Sequence, residues 1–221
     1  MTVVPFGEDP LVALAERLAA DHAATLPDLP GALVLLPDLH CAPRLRRLLL
    51  DGARRRGVQA LLGPRIERLA DWVGSHPLPA PVIGPYAREL LLVEALHHHT
   101  DIFGAGNPWT LADALFELFD ELTLARAELP RDLDAFTERL LRGYGAAAAG
   151  IGALHTESRL VHTLWHAWHT QMGEEGLLDR ASAYALRLAH AADDPGETER
   201  IYLAGFHRLS PAEHTLMSRL A

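Results

Sequence analysis

The sequence predicts an α/β protein: a small parallel layer of strands and helices interrupted by an all-helical insertion. Three observations carry that expectation. Short apolar runs alternate with helical patterns over residues 1–75, the order that builds parallel sheets. A proline-rich segment, HPLPAPVIGP (76–85), then gives way to purely helical periodicity from Tyr86 to about Ala192. Strand-like sequence returns at IYLAGF (201–206), followed by a capped helix. The expected divisions are 1–75 for the first part of the α/β layer, 86–192 for the insertion, and 199–221 for the returning strand and helix.

The elements follow in order. TVVPF (2–6) is short, apolar and β-branched, hence a first strand. LVALAERLAADHAA places Leu11, Leu14, Leu18 and Ala19 on one helical stripe, closed by Pro27 and Pro30. ALVLLP (32–37) is continuously apolar, the pattern of a strand buried on both faces. PRLRRLLLDGARRRG reads as a basic helix with Leu45, Leu48 and Leu49 inward and Gly57 past its end. VQALLGP (58–64) reads as a third strand, with a short helix, RIERLADWV, behind Pro64.

Four or five helices are expected between Tyr86 and Ala192. One carries the stripe Leu111, Leu115, Leu118, Phe119 and Leu122, and the small-residue run GYGAAAAGIGA (143–153) is a joint. IYLAGF reads as a buried strand. Ser210, Pro211 and Glu213 stand at the N-cap, N1 and N3 positions of a last helix. The periodic pattern runs to the final residue, which suggests a fragment of something longer.

Composition narrows the function classes. The chain has 221 residues, 49% of them apolar, and one cysteine, Cys41. Disorder and a disulfide scaffold are therefore excluded. No run approaches the ~20 apolar residues of a membrane span, so a cytoplasmic setting is expected. All 20 basic residues are Arg, and the formal charge is -9. That charge argues against a wholly electrostatic nucleic-acid binder, yet eight of the arginines fall within residues 44–68.

A phosphate-binding loop G-x-x-x-x-G-K-[ST] is impossible without lysine. Its place after the first strand holds Gly7, Glu8, Asp9 and Pro10, whose carboxylates repel phosphate. His162, His166 and His169 share a helix face at i, i+4, i+7, a weak alternative metal set with no carboxylate between them to act as base. His97, His98 and His99 suit a helix C-terminus. Cys41 reads as a small buried residue, and no G-x-S-x-G is present. Arg44, Arg47, Arg54 and Arg55 on the basic helix, with Arg65 beyond it, are the candidate DNA or partner contacts.

TVVPFGEDPLVALAERLAADH, ALVLLPDLHCAPRLRRLLLDGA and LLGPRIERLADWV together resemble the start of AddB-type subunits of bacterial ATP-dependent helicase–nucleases. LWHAWHTQMGEEGLLDRASAYALRLAHAA and ERIYLAGFHRLSPAEHTLMSRLA agree with later motifs of that family in order and spacing. The resemblance touches nearly the whole chain at Pro37, Arg44 to Arg47, Pro64, Arg65, Gly205, Phe206, Ser210 and Pro211. It implies a P-loop-NTPase/helicase-like parallel sheet with an all-helical insertion comparable to subdomain 1B, acting in double-strand-break repair beside an AddA-type helicase–nuclease subunit. The departures at Gly7–Pro10, and Ala204-Gly205-Phe206 in place of an acidic metal-binding motif, imply a helicase fold without a motor. No cofactor is then expected in this segment; Mg²⁺ and an iron–sulfur cluster would belong to a nuclease domain beyond residue 221. The expected function is a non-catalytic scaffold for DNA and partner. The alternatives are a protein-only scaffold and a small metal-dependent hydrolase using His162, His166 and His169.

Overall fold

A computed structural model describes residues 7–98, 106–144, 151–195 and 200–220. The strand expected at 2–6, His99 and most of the joint at 143–153 lie outside the described residues. The chain divides into two compact units, Met1–Pro77 with Arg187–Ala221, and Leu78–Leu186.

The first unit is α/β. Helix α1 (Pro10–Asp21) precedes strand β1 (Ala32–Leu36), helix α2 (Ala42–Arg55), strand β2 (Arg65–Arg68) and helix α3 (Leu69–Gly74). Strand β3 (Arg200–Leu203) comes much later in the chain. The three strands are parallel in the order β2-β1-β3, with Val34 opposite both Ile66 and Tyr202. Every residue of β1 is buried, as its continuous apolar run requires of the central strand. Ala15 and Leu18 of α1, and Ala42, Leu45 and Leu49 of α2, close over β1. Each fully buried leucine there contributes roughly 1.5–3 kcal/mol relative to exposure.

Four expectations change here. Residues 58–64 are not a strand, and the next strand starts after Pro64. The Val58 N–H returns to the Ala53 carbonyl (3.0 Å) and the Gly57 N–H to Arg54 (3.0 Å), a Schellman end to α2 with Gly57 at φ +82°. Leu62 makes only an isolated bridge with Asp28. RIER pairs as β2 with Ile66 buried and Arg65 and Arg68 exposed, so α3 begins at Leu69 instead of Arg65. IYLAGF is not a buried strand: β3 ends at Leu203, and Ile201 and Tyr202 are half-buried. Cys41 is exposed, because the N-cap position of α2 turns it outward while Ala42 takes the core.

The second unit is helical. Helices α4 (Pro85–His98), α5 (Pro108–Leu124), α6 (Leu133–Tyr144) and α7 (Ile151–Glu175) are followed by α8 (Arg180–Asp193), whose last turns belong to the first unit. Asn107 caps α5, accepting the Trp109 N–H at 3.0 Å, and Pro108 fills N1. The stripe on α5 is rotated from the expected one: Ala112, Leu115, Phe116 and Phe119 are buried, and Leu111 and Leu122 flank them. Phe119 meets Trp165 edge-on, with centroids 5.3 Å apart, and Phe116 meets Trp168 at 5.2 Å. Gly176 (φ +64°) ends α7, and the Asp179 carboxylate starts α8 by accepting the Ala181 N–H at 2.8 Å.

The proline-rich segment is ordered by pairing. Ile83 donates to the Leu178 carbonyl and Leu178 donates to Pro81, both at 2.9 Å. Behind this bridge Arg88 is buried. It makes a two-pronged pair with Asp120 and lies 3.7 Å from Asp179 and 3.9 Å from the Phe116 ring centroid.

The last helix, α9 (Pro211–Leu220), starts as its sequence requires. The Ser210 N–H donates to Glu213 (2.8 Å), and the Glu213 N–H donates to Ser210 Oγ (3.2 Å). Among the described residues, no helix is long and apolar enough to cross a membrane.

Candidate nucleic-acid interface

Helix α2 has two opposed sides. Leu45, Leu49, Gly52 and Ala53 face the core. At 3.6 residues per turn, Arg44, Arg47, Arg54 and Arg55 fall within an arc of about 100° on the other side, and all four are exposed. Eleven residues separate the first from the last, about 16 Å along the axis. Arg54 and Arg55 also sit in the last turn, where cations complement the helix dipole.

These arginines differ in what already holds them. Arg44 pairs with Asp9, and Arg54 lies 3.7 Å from Asp51. Among the described residues, Arg47 and Arg55 have no carboxylate partner. Arg65 is on β2, not on this helix, and its guanidinium is occupied by Glu67 at 2.7 and 3.1 Å.

The Asp9 contact has a second consequence. Asp9 is the N-cap of α1: one carboxylate oxygen accepts the Leu11 N–H at 2.9 Å and the other takes Arg44. Pro10 has no N–H to offer. The N-terminus of α1 is thus already filled by an anion, the carboxylate of Asp9 itself. Further on, two widely separated sequence positions converge. A Cβ on Gly205 (φ +81°) would stand 3.4 Å from Pro37 Cδ, so the turn after β3 lies tight against the end of β1.

The three candidate metal-binding histidines form no ligand set. His162 Nε2 and His166 Nε2 lie 2.9 and 3.1 Å from the same oxygen, the Pro130 carbonyl. A carbonyl only accepts, so both rings must carry the proton on Nε2. The two nitrogens that converge are therefore donors, turned toward an oxygen instead of a cation. His169 packs instead on Trp165, centroids 4.2 Å apart. Burial holds its pKa below the ordinary value, and nearby His166 adds to that while Asp179 opposes it. Among the described residues, no group of three metal-binding side chains occurs. His98 Nδ1 lies 2.8 Å from the Glu94 carbonyl in the last turn of α4.

No protein-family model matches this chain, and no curated protein matches it. The residues sequence reasoning missed are Asp9 as an internal substitute for a bound anion, and Pro130 with Arg131 beside the histidines. The spacing of Ser/Asp caps before helices could have flagged Asp9. Nothing local signals Pro130, which reaches His162 from far along the chain.

Proposed function

We propose that this chain is a non-catalytic, P-loop-NTPase/helicase-like domain that holds DNA within an AddB-type subunit of a double-strand-break repair helicase–nuclease, beside an AddA-type partner. The observation that carries the reading is the arginine face of α2, solvent-exposed along its length and backed by a leucine face anchored on the central strand. A rigid helix presenting guanidinium groups suits phosphate contact without base reading. The carboxylate of Asp9 at the start of α1 supports the absence of a motor, since nucleotide phosphates would have to displace it.

The test is a fluorescence anisotropy titration of a labelled DNA duplex at increasing salt. Each phosphate neutralised contributes about 0.9 to the slope of log K against log salt. Four arginines therefore set a ceiling near 3.6, and the two unpaired ones, Arg47 and Arg55, a floor near 1.8. Replacing Arg47 and Arg55 by Ala should lower the slope by about 1.8. An unchanged slope and affinity would reject the assignment. Sustained Mg²⁺-dependent ATP hydrolysis by the purified chain would reject the motorless reading. A second reading, contact with protein alone, is favoured by the intramolecular pairs of Arg44 and Arg54, and complete absence of salt-dependent DNA binding would reject the first reading in its favour.

A further inference from the structure

The second unit has its own cationic groove. It is an open groove of about 630 Å³ lined by Arg131, His162, Thr163, His166, His169 and Thr170. Five of these lie along two turns of α7, and Arg131 comes from the segment before α6. Between Ser158 and Gly173, α7 carries no carboxylate, although Glu157, Glu174 and Glu175 bracket that stretch. The groove is thus lined by potential cations and hydroxyls with no acid among them.

We infer that this groove is a second contact for the phosphodiester backbone of DNA, one that takes up protons as it binds. The inference rests on the reading that the chain meets DNA. The chemistry follows from the Pro130 carbonyl. Because it holds Nε2–H of His162 and His166, the only ring nitrogen left to gain a proton on each is Nδ1. Protonation leaves both bonds to Pro130 intact and adds one positive charge and one new donor per ring. Arg131 and the hydroxyls of Thr163 and Thr170 supply donors at every pH. The exposed Thr163 and Thr170, seven residues apart, span about 10 Å along the axis, enough to follow a strand that rises 3.4 Å per nucleotide past two phosphates or more.

The groups that face these imidazoles set the sign. Phe136 of α6 packs on the His162 ring at 5.5 Å, and His162 and His166 lie 4.5 Å apart. Trp165 covers His169, and Asp179 from the joint before α8 also acts on it. Burial holds the His169 pKa below its ordinary value, and a polyanion bound beside the ring opposes that. Phosphodiesters stay ionised between pH 5 and 8, so the imidazoles supply the pH dependence.

The experiment follows the histidine ring signals of the whole chain by NMR while a ten-nucleotide oligothymidylate is added near pH 6 and near pH 8. The His166 and His169 signals should move, with midpoints of titration raised in the presence of DNA, and as pH rises affinity should fall by up to about tenfold per pH unit for each proton taken up on binding. Arg131 and His169 are both exposed, so their variants are compatible with folding: His169→Gln should weaken binding near pH 6 and leave it nearly unchanged near pH 8, whereas Arg131→Gln should weaken it at both. Variants of Arg47 and Arg55 should leave the ring signals responding.

DNA binding with silent imidazoles would overturn this inference and leave the α2 reading standing. No DNA binding at any pH would overturn both. Inorganic phosphate or polyglutamate moving the rings as strongly as the oligonucleotide, at equal anion concentration, would overturn the backbone as the ligand and point to a free anion or an acidic protein.

Discussion

Replacing Arg88 by Met should destabilise the helical unit far more than its single charge suggests. Arg88 is buried, and its guanidinium serves Asp120 in a two-pronged pair, Asp179 at 3.7 Å and the Phe116 ring at 3.9 Å. Removing one member of a buried ion pair costs about 3–5 kcal/mol, because the other charge stays behind without compensation. The two acids respond differently. The Asp120 side chain is 28% exposed and can rehydrate, whereas that of Asp179 is 2% exposed and cannot. The expected loss is therefore at the lower end, about 3 kcal/mol. With a urea dependence of about 2 kcal/mol per molar, the unfolding midpoint falls by about 1.5 M. Tryptophan fluorescence reads this directly in a Trp72→Phe background, since Trp165 and Trp168 lie in the affected core. Adding Asp179→Asn should recover part of the loss, because the amide keeps the Oδ1 cap on Ala181 and removes the stranded charge. A midpoint for Arg88→Met within about 0.3 M of the parent, a difference below ~1 kcal/mol, would show that the buried network is not what holds α4 to α5.

Three further outcomes are expected. Partial burial pushes the Asp21 carboxyl up, but hydrogen bonds from Arg17 and Tyr202, with the charges of Arg17 and Arg200, outweigh it and hold its pKa below the ordinary value. Its stabilising share is then complete above the ordinary aspartate pKa of about 3.9 and disappears as pH falls through its own lower value. The melting-temperature gap between the parent and Asp21→Asn should be constant from neutral pH to about 5 and close below about 4. Ala at Gly57 or at Gly205 meets left-handed strain, about 1 kcal/mol, and Pro37 stands at van der Waals distance from a Cβ at Gly205. Calorimetry showing no loss at either position would refute that strain. Finally, a chelator should leave the melting temperature unchanged, and a drop would revive the histidine metal site.

The strands and helices were legible where burial is one-sided or complete. ALVLLP can only be a central strand, and LRRLLL can only be a helix with an apolar and a basic face. Legibility failed where tertiary partners decide. VQALL is apolar enough for a strand, but Gly57 folds its start back on α2 and Pro64 postpones pairing to RIER. Cys41 is apolar by type, yet the position just before a helix turned it outward. On α5, the larger rings of Phe116 and Phe119 claimed the core, so the buried stripe turned by one residue from the leucine pattern. The candidate contacts divide the same way. Arg44, Arg47, Arg54 and Arg55 share a face by spacing alone. That Asp9 already holds Arg44, and that Pro130 already holds two of the histidines, depends on contacts across the chain that no local pattern carries.

The bridge between Pro81, Ile83 and Leu178 bears on the order of folding. β1 and β3 are adjacent in the sheet but lie on opposite sides of a unit more than a hundred residues long. Closing an unstructured loop of that length costs about 4 kcal/mol, (3/2)RT ln n for roughly 110 residues. Because the bridge joins the segments that enter and leave the helical unit, folding of that unit shortens the loop that remains to be closed. β3 therefore pairs with β1 at lower entropic cost once the insertion has folded than before it.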